Sequence, residues 1–231
     1  MNRLNRALVV ISFVCLFLVL KTSDEPVVFE GELSQFVFGQ FSQGNSILFN
    51  LTSGLLISIW FYFLVVFVPD FQKKQRVKKH FIMQYYEFRK QVIAHILETC
   101  QESYDSELLM ELINPNEFKT YFDEKIEPSK TRWHVFINNA DSTVIQSILS
   151  EFIAFKEATL YLLSKMDIEN ENVHSFLHNF NTITTVLVNT SVDDYDSMKV
   201  FSSYLRDVFA GFNFSTGVRK YDYFEKMFEK I

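Results

Sequence analysis

The apolar run from Ile47 to Val68 constrains the fold of this chain more than any other feature. It contains 22 residues and no charged side chain. As an α-helix it would be about 33 Å long, enough to cross a hydrocarbon core of about 30 Å. A buried helix of a soluble protein would normally carry a stripe with Lys or Glu over this length, and this run has none. The run therefore predicts a transmembrane helix over residues 47–68.

A second apolar segment, Ala7–Leu20, lies near the start of the sequence and follows Arg3 and Arg6. Its 14 residues fit the apolar region of a cleaved signal peptide, but no small-x-small cleavage site follows. With its flanking residues, and with Arg6 and Lys21 extending toward the membrane surfaces, it reaches the length of a span. We favour an uncleaved transmembrane helix over about residues 4–21, and a cleaved signal is the alternative.

Basic residues indicate the direction of both spans. Arg3 and Arg6 precede the first span, and five basic residues follow the second: Lys73, Lys74, Arg76, Lys78 and Lys79. The connecting loop, residues 22–46, is acidic. Because basic residues favour the cytoplasmic side, both termini are predicted to be cytoplasmic, in a protein that crosses the inner (plasma) membrane twice.

The residues after the second span are predicted to form a cytoplasmic helical domain, 70–231, attached to a transmembrane hairpin, 1–69. The chain has only 6 Gly and 4 Pro, too few for a many-stranded β fold. Apolar residues recur at helical spacing in several segments, the first being Val77, Phe81, Tyr85, Phe88, Val92 and Ile96. The predicted fold class is an all-α membrane protein, with an antiparallel helical bundle as its soluble part.

Capping and proline signals predict the helix boundaries of this bundle. Helices are expected to start at Pro69 and at Pro115, with a break at residues 127–129. One long helix is predicted from Trp133 to Met166. Ser191 and Asp194 have the spacing of a capping box, and a last short helix is expected from Val218 to Phe228.

Small and polar residues recur every four positions in the second span, at Ser46, Asn50, Gly54, Ser58 and Tyr62. These residues share one helix face, which we call the polar stripe. In lipid, small residues let helix backbones approach closely and polar ones hydrogen-bond across the contact. The stripe therefore predicts a helix-packing face, directed either at the first span or at another copy of the chain.

The five basic residues after the second span, which we call the basic collar, have two interpretations. They can simply hold the span in its orientation, or they can also attract anionic lipid headgroups. Residues 81–231 contain 14 Lys and Arg against 23 Asp and Glu, a net charge of −9. A nucleic-acid partner is therefore not expected, because such binding depends on neutralising phosphates.

A metal site is the only chemistry for which the sequence offers candidate residues. His174 and His178 are one helical turn apart and Glu171 precedes them by another turn, so the three share a face. The alternative interpretation is that they are surface side chains, because no HExxH motif or further ligand spacing is present. No catalytic or cofactor-binding motif is found, and no cofactor is predicted.

The stretch GNSILFNLTSGLLISIWFYFLVVFVPDFQKKQRVKKHF, residues 44–81, resembles uncharacterised small bacterial membrane proteins with a two-helix hairpin and a helical cytoplasmic region. The resemblance implies no catalytic residue. Our leading hypothesis is a non-enzymatic membrane protein, of sensor or adaptor type, whose helical domain self-associates or binds a cytoplasmic protein. The alternatives are a membrane-perturbing effector, such as a toxin or defence component, and a metal-dependent enzyme using Glu171, His174 and His178.

Overall fold

The computed structural model of the protein describes residues 3–24, 37–101, 103–189, 195–213, 217–218 and 221–231. The described residues are mostly helical, which confirms the all-α prediction. Contacts divide the chain into two compact units, Met1–Lys73 and Lys74–Ile231.

The first unit is built from two long helices, α1 (Arg3–Thr22) and α2 (Asn45–Tyr62). They pack against each other as an antiparallel pair, and the Tyr62 hydroxyl near the end of α2 donates to Asn5 Oδ1 near the start of α1 at 3.1 Å. Cys15 on α1 and Thr52 and Ile59 on α2 are buried. Among the residues that the structure describes, two helices are long and apolar enough to cross a membrane, α1 and the continuous helix that begins with α2.

The predicted helix start at Pro69 is wrong, because the helix continues through this residue. A five-residue π-helical turn, Phe63–Phe67, follows α2, and α3 (Val68–Thr99) follows the turn. In the widened turn the Val68 N–H donates to the carbonyl of Phe63, five residues back. Proline has no N–H, and its ring clashes with the carbonyl four residues earlier in a regular α-helix. A π turn lies directly before Pro69, and the helix continues past this residue with a local change in its hydrogen-bond register.

The second unit contains the rest of α3 and a set of shorter elements. The helices described after α3 are α4 (Ser106–Leu112), α5 (Pro115–Asp123), α6 (Arg132–Asn139), α7 (Ser142–Lys165), α8 (Glu171–Val188), α9 (Tyr195–Ala210) and α10 (Tyr223–Phe228). Two antiparallel strand pairs connect some of them: β1 (Lys125–Glu127) with β2 (Lys130–Thr131), and β3 (Phe212–Asn213) with β4 (Gly217–Val218).

Local hydrogen bonds explain where the boundaries match the sequence and where they differ. The predicted start at Pro115 is confirmed, with Asn114 accepting from the Asn116 N–H. The single helix predicted over 133–166 is two helices, because Asp141 accepts from the Val144 N–H at 2.9 Å and starts a new one. The capping box predicted at 191–194 lies outside the described residues.

The last helix also begins later than the sequence predicted. Asp222 accepts from the N–H groups of Phe224 and Glu225, so α10 starts at Tyr223. Val218, the expected first residue, lies in β4. An aspartate at the N-cap position is a stronger start signal than apolar spacing alone.

Aromatic side chains fill the core of the second unit. The residues predicted as the apolar face of α3 are all buried there, and Phe152 and Phe155 of α7 face them. Phe88 stacks on Phe155 with ring centroids 4.9 Å apart and meets Phe152 edge-on at 4.8 Å. Such ring pairs contribute about 0.5 to 1.5 kcal/mol each beyond area burial. This packing accounts for many of the 26 phenylalanines in the chain.

Phe155→Ala is expected to lower the free energy of unfolding of the second unit by about 3 to 5 kcal/mol, because it leaves a cavity among packed rings. Urea unfolding of the full chain in detergent micelles would measure this, with Trp133 fluorescence as the signal in a Trp60→Phe background. The matched control is Ile153→Ala, which truncates an exposed side chain of the same helix and should change stability by about 0.5 kcal/mol or less. Equal losses in the two variants would contradict the assigned core.

Candidate functional site

The outward surface of α1 and α2 is apolar over most of their length. Large side chains that would avoid water stand exposed on both helices, among them Phe13, Ile47, Leu51, Trp60 and Phe61. Only 11% of the most apolar window of each candidate span is buried within the structure. A continuous exposed apolar surface of this kind marks an interaction site with lipid or protein.

The polar stripe lies mostly on this outward surface. Ser46, Asn50, Gly54 and Ser58 are exposed, and only Tyr62 is half-buried, through its contact with Asn5. A different face of α2, containing Thr52 and Ile59, packs on α1. No atom of a neighbouring element comes within 4 Å of the position that a Gly54 Cβ would occupy. Of the stripe residues, Tyr62 therefore contacts the first helix, whereas Ser46, Asn50, Gly54 and Ser58 face outward.

The basic collar lies on the first turns of α3, beyond the apolar run. Lys73, Arg76 and Lys79 are exposed, whereas Lys74 and Lys78 are half-buried. Val77, between them, is a core residue of the second unit. The collar thus combines outward-facing charges with two charges that flank a buried position.

The three candidate metal ligands do not form a site. Glu171, His174 and His178 are all exposed on α8, where they share the outer face. Within the described part of the chain, no group of three or more His, Cys, Asp or Glu side chains is placed to hold a metal ion. This arrangement matches the interpretation of the three as surface side chains.

The most strongly organised polar group is a buried cluster that the sequence did not predict. Arg89 on α3 is completely buried, and its Nη1 lies 3.3 Å from the Oδ2 carboxylate oxygen of Asp222. The Tyr85 hydroxyl, one turn before Arg89, donates to the same carboxylate oxygen by a short hydrogen bond. Arg89 also donates to the Val208 and Phe209 carbonyls at the end of α9, at 3.1 and 3.0 Å.

This cluster joins three helices at one point. Asp222 uses its second oxygen, Oδ1, to cap α10, accepting from the Phe224 N–H at 2.8 Å. Arg89 meanwhile satisfies carbonyls at the C-terminal end of α9, where a positive charge also complements the helix dipole. The guanidinium stacks over the Phe209 ring with a separation of 4.8 Å. The polar atoms of Arg89 and Asp222 are thus engaged mainly with protein groups, which gives the cluster a structural role.

The sequence contained one signal for this cluster. Arg89 follows Tyr85 by four residues and Phe88 by one, so it lies at the edge of the predicted apolar face of α3. A charged residue at such a position needs a buried partner of opposite sign. The identity of that partner, 133 positions later at Asp222, depends on the tertiary fold.

A small cavity of about 210 Å³ adjoins the cluster between α8, α9 and the start of α10. Its lining is largely aromatic, with carboxylates from Asp207 and Asp222. Burial raises the pKa of the Tyr204 phenol on its wall, and the negative charge of Asp207 raises it further. The volume is below the range of about 300 to 1,000 Å³ that is typical of ligand pockets.

Comparisons with protein-family models, with curated proteins and with solved structures found no match. The resemblance to small bacterial two-helix membrane proteins therefore stays a prediction.

Arg89→Met is expected to destabilise the second unit by about 3 to 5 kcal/mol, because it leaves the Asp222 carboxylate buried without its partner charge. The double variant Arg89→Met/Asp222→Asn should be less destabilised than the sum of the two single variants, since Asn keeps the cap and removes the charge. Urea unfolding of all three variants forms the cycle. The control is Lys130→Met, which removes an exposed ion pair with Glu127. Additive losses in the cycle would show that the pair is not coupled.

The pH dependence of stability provides a test of the environment of Tyr204. The unfolded phenol ionises near pH 10, whereas the native pKa is raised, so stability fully present below pH 10 is lost as the pH rises toward the native pKa. Each such phenol contributes about 1.4 kcal/mol per pH unit in that window. Tyr204→Phe should reduce the fall in unfolding free energy between pH 10 and 11 by about 1 kcal/mol, because half of the unfolded phenol is already ionised at pH 10. A fall in Tyr204→Phe equal to that of the starting protein would contradict the assignment.

Proposed function

We propose that this chain is a two-span membrane protein whose helical domain acts by binding, either to another copy of the chain or to a cytoplasmic protein. The observation that carries the proposal is the apolar outward surface of α1 and α2. In water, side chains such as Phe13 and Leu51 would lose the stabilisation of burial, at about 25 cal/mol per Å² of apolar surface. A bilayer supplies an apolar environment to that whole surface, and both helices satisfy their backbone groups internally.

The distribution of charge supports an orientation with both ends of the hairpin in the cytoplasm. The collar follows the apolar surface on α3, and Arg6 lies at the start of α1. Tyr62 near the end of α2 bonds to Asn5, next to Arg6, so these positive charges belong to the same end of the hairpin. The positive-inside rule places that end on the cytoplasmic side.

Two features of the second unit favour binding over catalysis. Arg89, Tyr85 and Asp222 are buried ionisable side chains that are engaged with one another and with helix ends. The outer side of α8 exposes Ile183 and Val186, one turn apart. These side chains would gain burial in a complex.

The exposed polar stripe supports self-association within the membrane. Ser46, Asn50, Gly54 and Ser58 are directed away from α1, so this face is available to a second hairpin. Ser58 Oγ donates to the Gly54 carbonyl at 2.8 Å, which satisfies the hydroxyl but leaves the surface at Gly54 flat. Flat surfaces of small residues allow close packing of transmembrane helices.

The same stripe favours a second candidate, a membrane-perturbing effector. Asn50 and Ser58 expose polar groups on a face of an apolar helix, and assembly of several copies would gather these groups at one interface. Loss of membrane potential on expression in bacterial cells, measured with a potential-sensitive dye, would favour this candidate. An unchanged potential at equal expression would argue for the binding role.

Gly54→Leu is expected to reduce the cross-linked oligomer of the full chain in membranes by at least tenfold, because the added side chain separates the two packing faces. The experiment is chemical cross-linking in isolated membranes, followed by electrophoresis. The matched control is Leu55→Phe, which adds bulk at the neighbouring exposed position, and it should leave the oligomer unchanged.

Three other outcomes of this experiment have distinct meanings. An oligomer that survives Gly54→Leu would place self-association on another surface. A reproducible heterologous cross-link without an oligomer would support the binding of a protein partner. Neither an oligomer nor a reproducible partner would overturn the proposed binding role.

A further inference from the structure

The basic collar lies where the headgroups of a bilayer would surround the helix. In the continuous helix, Lys73 follows Val68 by five residues, a rise of about 7.5 Å. The headgroup region of one leaflet is about 5 to 7.5 Å thick. Lysine and arginine side chains can also extend several ångströms along a helix toward the membrane surface. Lys73 and Arg76 therefore reach the phosphate layer if the apolar run spans the bilayer.

The collar charges are distributed around the helix and are not confined to one face. With 100° of rotation per residue and Lys73 taken as 0°, Lys74 points to about 100° and Arg76 to about 300°. Lys78 points to about 140° and Lys79 to about 240°. The charges therefore point in several directions, and those on the side away from the buried residues can meet a layer of negative charges at the membrane surface.

The exposed members of the collar occupy the side away from the core. Val77 and Phe81, which are buried, point to about 40° and 80° on the same scale. Lys74 and Lys78 flank that side and are half-buried. Lys73, Arg76 and Lys79 lie between about 240° and 360° and are exposed. These three side chains are therefore the ones that most readily meet lipid.

We propose that the basic collar binds the phosphate groups of anionic phospholipids and enriches them around the second span. The inference rests on the proposed membrane anchorage. The chemistry is charge-assisted hydrogen bonding between ammonium or guanidinium donors and phosphate oxygens. Each basic residue near an anionic surface contributes about 1 kcal/mol, which corresponds to about a fivefold change in a binding constant.

Trp60 provides an intrinsic probe for this proposal. It is exposed on α2, and it precedes Lys73 by 13 residues, about 20 Å along the helix. That distance is close to the length of a lipid in one leaflet, so a lipid held at the collar directs its acyl chains toward Trp60. The chain has two tryptophans, and a Trp133→Phe background leaves Trp60 as the single fluorophore.

The experiment reconstitutes the full chain into phosphatidylcholine vesicles with increasing fractions of brominated phosphatidylglycerol or of brominated phosphatidylcholine. Bromine on the acyl chains quenches Trp60, and the ratio of the two quenching curves gives the relative binding constant of the anionic lipid. We expect a ratio of about 5 at low salt. The ratio should decline toward 1 at about 1 M salt, where the screening length is about 3 Å.

A pair of charge-matched variants assigns the effect to the collar. Lys73→Gln/Arg76→Gln/Lys79→Gln should lower the ratio to about 1. Lys125→Gln/Lys165→Gln/Lys199→Gln removes the same charge from exposed side chains of the second unit and should keep the ratio of the starting protein. Circular dichroism verifies that both variants retain their helix content.

Failure of the inference and failure of the anchorage give different results. Equal quenching by the two lipids in the starting protein would overturn lipid selection and leave membrane insertion intact. A preference that persists in the collar variant would overturn the assignment to these residues. No quenching of Trp60 by either lipid would overturn the membrane anchorage itself.

Discussion

The buried pairing of Arg89 with Asp222 is the interaction on which the assembly of the second unit depends. Arg89 lies on the first long helix of this unit and Asp222 at the start of its last helix. The same guanidinium binds carbonyls at the end of α9, so one side chain of α3 fixes the positions of two helix ends, those of α9 and α10. An isolated buried charge is too costly to keep. The fold therefore has to bring α3, α9 and α10 together before Arg89 can be buried, and this requirement specifies one arrangement among the many that aromatic packing would allow.

Aromatic residues perform two different tasks in this chain, because its units face different surroundings. In the second unit Phe88, Phe155 and Phe224 are buried, and the Phe155 ring contacts the other two through defined geometries. In the first unit Phe13 and Phe61 are exposed on the outward surface. The residue type is the same, but its surroundings differ: ring packing excludes water in the second unit, whereas in the first unit the rings would face lipid in the proposed membrane anchorage. A composition rich in phenylalanine therefore does not by itself distinguish a core from a membrane surface.

Periodicity predicted most of the fold, and capping chemistry explains most of the differences. The apolar face of α3 was correct at every predicted position because its spacing reflects burial directly. The long helix predicted from Trp133 was divided at Asp141, where a side-chain hydrogen bond to the Val144 N–H outweighs an apolar spacing that continues across the break. Pro69 has the features of a helix start, but the helix continues through it, with a π turn directly before it. In the candidate site, the stripe and the collar follow from local sequence, but the Arg89–Asp222 pair does not, because its partners are distant along the chain.

The position of Cys15 gives the hairpin a chemical reporter of its own. Its thiol is 4% exposed, on the helix that packs against α2, and modification of a thiol requires access of the reagent to it. The rate at which a small membrane-permeant thiol reagent modifies Cys15 therefore measures how often α1 and α2 separate. Cys100, half-buried beyond the end of α3, belongs to the other unit and reports on that unit separately. With one cysteine in each unit, the opening of the spans and the loosening of the helical domain can be timed in the same molecule.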